Sequence, residues 1–582
     1  MAVRYDLVIR GGTVADGKGG PLYEADVAVA EGTIAGIGKV SGSGLEEIDA
    51  RGQLVTPGFV DIHTHYDGQA TWDERLAPSC WHGVTTAVMG NCGVGFAPVR
   101  PADHDRLIEL MEGVEDIPGT ALHEGLSWDW ESFAGYLDAL DRRDHDIDIC
   151  TQLPHAALRV FVMGERGARL EPATAGDIER MRELASEAIY AGAIGFSTSR
   201  TTNHRTVKGE PTPSLRAGEN ELMGIALGLK DAGRGVIELI SDFDTPDQAT
   251  EFQMIRRIVG ASGRPLSLSL AQHHSNPDGW RSLLGMIHAA AQDGLPITAQ
   301  VSPRSISLLL GLQGTLCPFS AHPSYQAIAG YPLDRKVAVM RDPAFRERLL
   351  AEQPDLGQAR IARRVMAFER IFPLGDPPNY EPSRDESIAS LARRTGRSPS
   401  EIAYDLLLED GGRSFLFAPF TNYAEFNLDV TREMMEHPDC VMGLGDGGAH
   451  VGLISDANFT TYHLAHWGRD RRQDRFDIGW LVKRQTADTA RAVGLLDRGV
   501  LAPGMKADLN VIDFDRLRVE RPIMAFDLPA GGKRLLQRAR GYAETIVSGV
   551  VVYRDGEPTG SLPGKLVRGP QPAPASRGTE GV

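Results

Sequence analysis

The sequence predicts a closed (β/α)8 TIM barrel joined to a small β-sandwich domain built from both chain ends, and three observations carry that reading. Eight short apolar runs alternate with longer amphipathic stretches through the middle of the chain, the pattern of repeated βα units on a parallel sheet. Those runs are almost continuously hydrophobic, as strands covered on both faces must be, and polar residues gather at their carboxyl ends, where barrel enzymes place their chemistry. Segments of alternating Val, Ile and Leu bounded by Gly or Asp flank this middle on both sides. A doubly wound open sheet is the alternative architecture.

Residues 1–57 supply the first part of the sandwich: YDLVIRGGTVADG, EADVAVAEGTIAGIG and EEIDARGQLVTPG each read as short antiparallel strands. The barrel is placed at 58–498, with strands at GFVDIHTH, TTAVMGNCG, IDICTQLP, GAIGFSTS, GVIELISD, PLSLSLAQ, PITAQVSP and CVMGLGD. Between them TAGDIERMRELASEAIYAG reads as a helix, with Thr174 as N-cap, Asp177 three residues on, and Ile178, Met181, Leu184, Ala185, Ala188 and Ile189 at helical spacing. The stretch from about 305 to 439 is too long for one βα connection, which predicts an insertion of helices and a lid. Residues 499–560, with APGMKADLNVIDFD and YAETIVSGVVVYRDGEP, return to strand texture and complete the sandwich. Residues 561–582 end in the Pro/Gly/Ser-rich RGPQPAPASRGTEGV, which predicts a mobile tail.

Composition narrows the function. The chain has 582 residues, 42% apolar and 24% charged, enough to bury a large core and far from the composition of disorder. Its 61 Lys and Arg against 78 Asp and Glu leave a formal charge of -17, which repels nucleic acid and anionic membranes. The five cysteines (Cys80, Cys92, Cys150, Cys317 and Cys440) are odd in number and contain no CxxC pair, which predicts a reducing, cytoplasmic setting. The opening MAVRYDLVIRGG lacks the form of a secretory signal, and no run approaches a membrane span.

The chemistry is concentrated at strand ends. Asp61-Ile62-His63-Thr64-His65 closes the first barrel strand, and residues two apart on a strand share a face, so both imidazoles project together as chelation of a divalent cation requires. Two surface histidines would be the bland reading. Gly445-Asp446-Gly447-Gly448 ends the eighth strand, next to the first in a closed barrel. A carboxylate there can ligate a metal and take a proton from water, although D-G is also a common turn. Arg304, after the seventh strand in QVSPRSIS, offers a bidentate fork for a substrate carboxylate. His155, Ser199, Arg200, His204, His450 and His466 are further strand-end groups that either line a pocket or lie in solvated loops.

Together PGFVDIHTH, the late-strand Asp446 and the split sandwich resemble the amidohydrolase superfamily. The segment WHGVTTAVMGNCGVGFAP is similar to the signature of its N-acyl-D-amino-acid deacylase (D-aminoacylase) family, and the resemblance runs from about Ala2 to Gly556. It implies a metal-dependent hydrolase of amide C–N bonds, one or two zinc ions per subunit, Cys92 as a metal ligand beside His63, His65 and Asp446, and a small N-acyl or amide substrate. Asp446 is then the general base. The family carries a His in a YATHxR-like segment at the fifth strand, where this chain has GVIELISDF, with Glu238 or Asp242 as oxygen substitutes or a single ion as the alternative. At the sixth strand AQHHS offers His273 as a ligand, with His274 as the other choice. A cyclic amide or hydantoin hydrolase, a deaminase, and a binding barrel that has lost its metal are the rival readings, and pairing of subunits is left open.

Overall fold

In the computed structural model the described residues are 4–243, 247–354 and 363–575. Eight parallel strands form the central sheet: β1 (Phe59–Asp61), β2 (Val84–Met89), β3 (Asp148–Pro154), β4 (Gly195–Arg200), β5 (Val236–Ser241), β6 (Leu266–Ser269), β7 (Ile297–Val301) and β8 (Cys440–Met442). They pair in sequence order from β1 to β8, and each lies within one of the runs singled out above or overlaps it closely. The sheet curls until β8 returns to β1. Closure happens just beyond the strands, where Thr64 and Gly447 form a parallel bridge. The His65 amide donates to the Gly447 carbonyl at 2.7 Å, and the Asp446 amide to the His63 carbonyl at 2.9 Å.

Helices cover the outside of the barrel. Ala175–Ala191 starts from a Thr174/Asp177 capping box and buries Met181, Ala185, Ala188 and Ile189, while Ile178 and Leu184 of the predicted face are half-buried. The chain ends meet in one nine-stranded sheet. Its seam is the antiparallel pairing of Leu54–Pro57 with Leu509–Ile512, with Val55 opposite Val511. Both valines are fully buried beside Leu7, Ile9, Val27, Leu509 and Ile546, and each such side chain contributes about 1.5–3 kcal/mol.

The connection between β7 and β8 is a module with its own core. Ser307–Gly311, Phe372–Pro373 and Phe415–Pro419 form a three-stranded antiparallel sheet, packed with the helices Leu333–Met340, Ile388–Thr395 and Pro399–Leu408 around Leu310, Met340, Tyr404 and Leu407.

The last residues differ from the expectation of a mobile tail. Ile149 donates to the Lys565 carbonyl, Val567 to Ile149, Gly569 to Gly192 and Gln571 to Gly494. Residues 565–571 therefore lie as an extended strap along the barrel. Composition misleads here because backbone groups can bind a neighbouring chain segment without any apolar side chain. Residues 576–582 of the predicted tail lie outside the described residues.

Candidate metal centre

The site is built from local fixings outward. Thr64, between the two histidines, donates through its amide (3.0 Å) and its hydroxyl (2.8 Å) to the Val88 carbonyl of β2. With Thr64 turned to β2, His63 and His65 face the other way, into the barrel mouth. Asn91 then locks the turn after β2, donating to the Thr64 and Val88 carbonyls at 3.1 and 2.9 Å while accepting from Gln152 at 2.7 Å. Cys92 follows with φ +53°, a left-handed conformation that swings its thiol toward the imidazoles. Asp446 is also left-handed, at φ +47°. Its glycine neighbours are required by space: a Cβ on Gly445 would stand 2.5 Å from Asp61 Oδ2, and one on Gly447 2.4 Å from Ser79 Oγ. Left-handed non-glycine residues cost free energy and persist where surroundings over-determine them, as at functional sites.

These fixings bring together four groups from three distant stretches of the chain. Ligand atoms of His63, His65 and Cys92 all lie within 4.8 Å of one another. His63 Nε2 is 3.4 Å from Cys92 Sγ and 3.5 Å from Asp446 Oδ1, and His65 Nε2 is 3.8 Å from the same oxygen. Behind them stand Gln300 and Glu115, which no motif singled out, and Glu238, the oxygen donor expected of the fifth strand. Gln300 Oε1 lies 2.8 Å from His63 Nδ1, which sets the ring so that Nε2 faces the cluster, and Gln300 is itself held by donating to Ser267 Oγ at 2.8 Å. Glu115 Oε1 is 3.3 Å from His65 Nδ1, and its other oxygen is 3.6 Å from His450 Nε2. Glu238 of β5 accepts from the Cys92 amide at 2.8 Å.

The electrostatics of the cluster are those of an incomplete charge set. Burial pushes the Asp446 and Glu238 carboxyls up to about 7 and Glu115 well above the carboxylate range. Burial, reinforced by Glu238, Glu115 and Asp446, raises the Cys92 thiol, while burial lowers both His63 and His65. Among the described residues, no Lys or Arg pairs with these acidic groups. Glu238 Oε1 and Glu115 Oε2 are buried without a hydrogen-bond partner. Buried acids without a counter-charge are costly, and two imidazoles, a thiol and carboxylates at this spacing are the donor set of a divalent metal. The residues fit a cation.

Two expected site residues lie elsewhere. His273 is exposed, three residues and more beyond the end of β6, and forms backbone bridges with Asn276 and Thr421; it is not among the clustered ligands. Arg304 is buried and used by the protein: its guanidinium pairs with Asp456 at 2.9 Å, donates to the carbonyls of Ser305 and Ser455, and stacks 4.0 Å from the Tyr380 ring centroid. It is a core cation that joins the insertion to the barrel, and it holds no free fork for a substrate. Of the secondary candidates, His155 is sequestered between Thr198 and Glu221, and His466 pairs with Glu381. Asp242 is occupied by Thr201 and Thr202, which leaves Glu238 as the fifth-strand group at the cluster.

Comparison with known proteins places these features. The model of the amidohydrolase family matches residues 46–553. The chain is similar to a D-aminoacylase of Alcaligenes xylosoxydans xylosoxydans, 37% identical over 575 residues that cover 97% of each. Its fold is similar to that of N-acyl-D-glutamate deacylase from Bordetella bronchiseptica complexed with zinc and a phosphonate inhibitor, with a TM-score of 0.64 and 24% identity over 97% of this chain and 100% of that one. A D-aminoacylase described as having a binuclear metal center gives the same TM-score, 0.64, with 24% identity and the same coverage.

Proposed function

We propose, from the premise that this chain belongs to the amidohydrolase family and is a metal-dependent hydrolase of carbon–nitrogen bonds of the D-aminoacylase kind, that it removes the acyl group from a small N-acyl-D-amino acid. The observation that carries the proposal is the approach of Asp446 Oδ1 to within 3.5 Å of His63 Nε2, inside the cluster of His63, His65 and Cys92. The D-series enters through the full-length similarity to a D-aminoacylase.

His63, His65, Cys92 and Asp446 would hold the cation, with Glu238 Oε1 as the oxygen donor that β5 offers in place of a histidine. One zinc ion is proposed at this centre, because β5 brings no imidazole and His273 is exposed. When bound, zinc supplies Lewis acidity that brings the pKa of water toward neutrality and polarises an acyl carbonyl. Asp446 takes the proton of the attacking water on its carboxylate and returns it to the leaving amine nitrogen. Gln300 keeps the His63 imidazole oriented throughout.

A panel of N-acyl-D- and N-acyl-L-amino acids, assayed on protein of measured zinc content, tests the reading. Hydrolysis of D-substrates by zinc-loaded protein is expected. Zinc-loaded protein that cleaves none of the D-series would overturn it.

A further inference from the structure

A second group of metal-binding side chains lies at the opposite end of β8. His288, on the helix Gly279–Gln292, meets His437 and Asp439, which immediately precede β8. One ligand atom from each lies within 4.8 Å of the others. Asp439 Oδ2 is 2.7 Å from His288 Nδ1 and 3.8 Å from His437 Nδ1, and the two rings stand 5.5 Å apart at 89°. Asp446 follows the carboxyl end of the same strand, so this group is separated from the catalytic centre by the height of the barrel.

One hydrogen bond, between His288 Nδ1 and Asp439, is ordinary. The second imidazole is held beside the same carboxylate by the backbone: His437 Nδ1 accepts from the Asp439 amide at 3.3 Å and lies 3.8 Å from Asp439 Oδ2. Asp439 is fixed in place because its carbonyl accepts from the Ala299 amide of β7 at 2.9 Å. Half-exposed His288 leaves room for water to complete a coordination shell.

We propose that His288, His437 and Asp439 form a second cation site, specific for a divalent transition metal such as zinc, that pins the outer helix Gly279–Gln292 to the entrance of β8. Two imidazoles and one carboxylate suit zinc and its neighbours in the transition series and are too nitrogen-rich for calcium or magnesium. The site is structural and independent of the deacylase reading. Its consequence is for metal counting: two zinc ions per chain would divide between two separate places, one catalytic and one peripheral.

The test uses intact holoenzyme equilibrated with micromolar zinc and passed through a desalting column, with bound zinc measured by plasma emission. Parental protein is expected to retain one more zinc per chain than His288→Gln or Asp439→Asn, while both variants hydrolyse substrate at the parental rate. Zinc should also raise the parental melting temperature more than that of either variant. His288 is half-exposed, so His288→Gln is expected to fold normally, and circular dichroism checks this. Equal zinc content in parental and His288→Gln protein would overturn the proposal. If deacylase activity is absent but the one-zinc difference persists, the site stands and the functional reading falls.

Discussion

In the proposed reaction Asp446 is the proton acceptor, on a left-handed backbone that its surroundings hold in place. Asp446→Asn keeps size and hydrogen bonding but cannot accept a proton, so turnover should fall by about 10²–10⁴, with the protein still folded and its melting curve intact. A hydrolysis assay beside circular dichroism checks this. Gln300 acts at one remove. Its carbonyl oxygen orients the His63 ring, and Gln300→Ala should weaken zinc binding by about 10–100-fold, measured by competition with a chromophoric chelator. His63, His65 and Asp446 could be found in the sequence because each sits in a short motif at a strand end, whereas Cys92 was marked only by the resemblance of the segment around it to a known family. Gln300 and Glu115 could not, because they meet the histidines across long chain separations and no local pattern marks them. Arg304 illustrates the opposite error. An arginine after a barrel strand reads the same whether it points into the mouth or into the core, and here Asp456 and Tyr380, far along the chain, decide for the core.

At the scale of elements, the insertion between β7 and β8 is clamped onto the barrel through Glu381. Its carboxylate accepts from His466 Nε2 at 2.8 Å and from the Leu428 amide at 2.9 Å, and pairs with Arg471 at 3.2 Å. Burial opposes its ionisation, yet the bonds from His466 and Arg471 hold the carboxyl down at about 2. A depressed carboxyl stabilises the fold at pH values above its ordinary range, and that stability is lost as pH falls from about 4.5 toward about 2. The shift corresponds to about 3 kcal/mol. Glu381→Gln should therefore destabilise the protein by about that amount at pH 7 and flatten the acid limb of a urea-stability profile taken between pH 5 and about 2. The length of the insertion was legible from the chain, since no single βα connection needs so many residues. Its internal sheet was not, because Phe372–Pro373 is only two residues long and gains its strand geometry from pairing with Phe415–Pro419. The sixth strand was read longer than it is: Leu266–Ser269 stops early, and that shortfall leaves His273 on the surface.

For the molecule as a whole, Asp148 at the start of β3 is a junction. It pairs with Arg498 at 2.7 Å and Lys506 at 3.0 Å, and accepts from the Lys565 amide at 3.0 Å. Barrel, returning chain and terminal strap are thus tied at one buried carboxylate. Asp148→Ala removes one carboxylate from Arg498 and Lys506, which keep Asp497 and Asp508, and should cost about 1–3 kcal/mol, read as a lower urea midpoint, with metal content unchanged. The barrel order could be read from the eight apolar runs because a parallel strand buried on both faces has a distinctive composition. The strap could not, because it pairs through backbone groups that every sequence shares and through only a few side chains, Leu566 in the core and Arg568 on Asp138 and Asp141, which no local pattern marks.

The bridge from Thr64 to Gly447 has a bearing on how the protein is made. Ligands 63, 65 and 92 leave the ribosome early, but they gain their fourth companion only when residue 446 has emerged and the barrel has shut. Ring closure and assembly of the reactive centre are the same event. Under the proposed mechanism, a chain that stops short of residue 446 holds the two imidazoles and the thiol but lacks the proton acceptor.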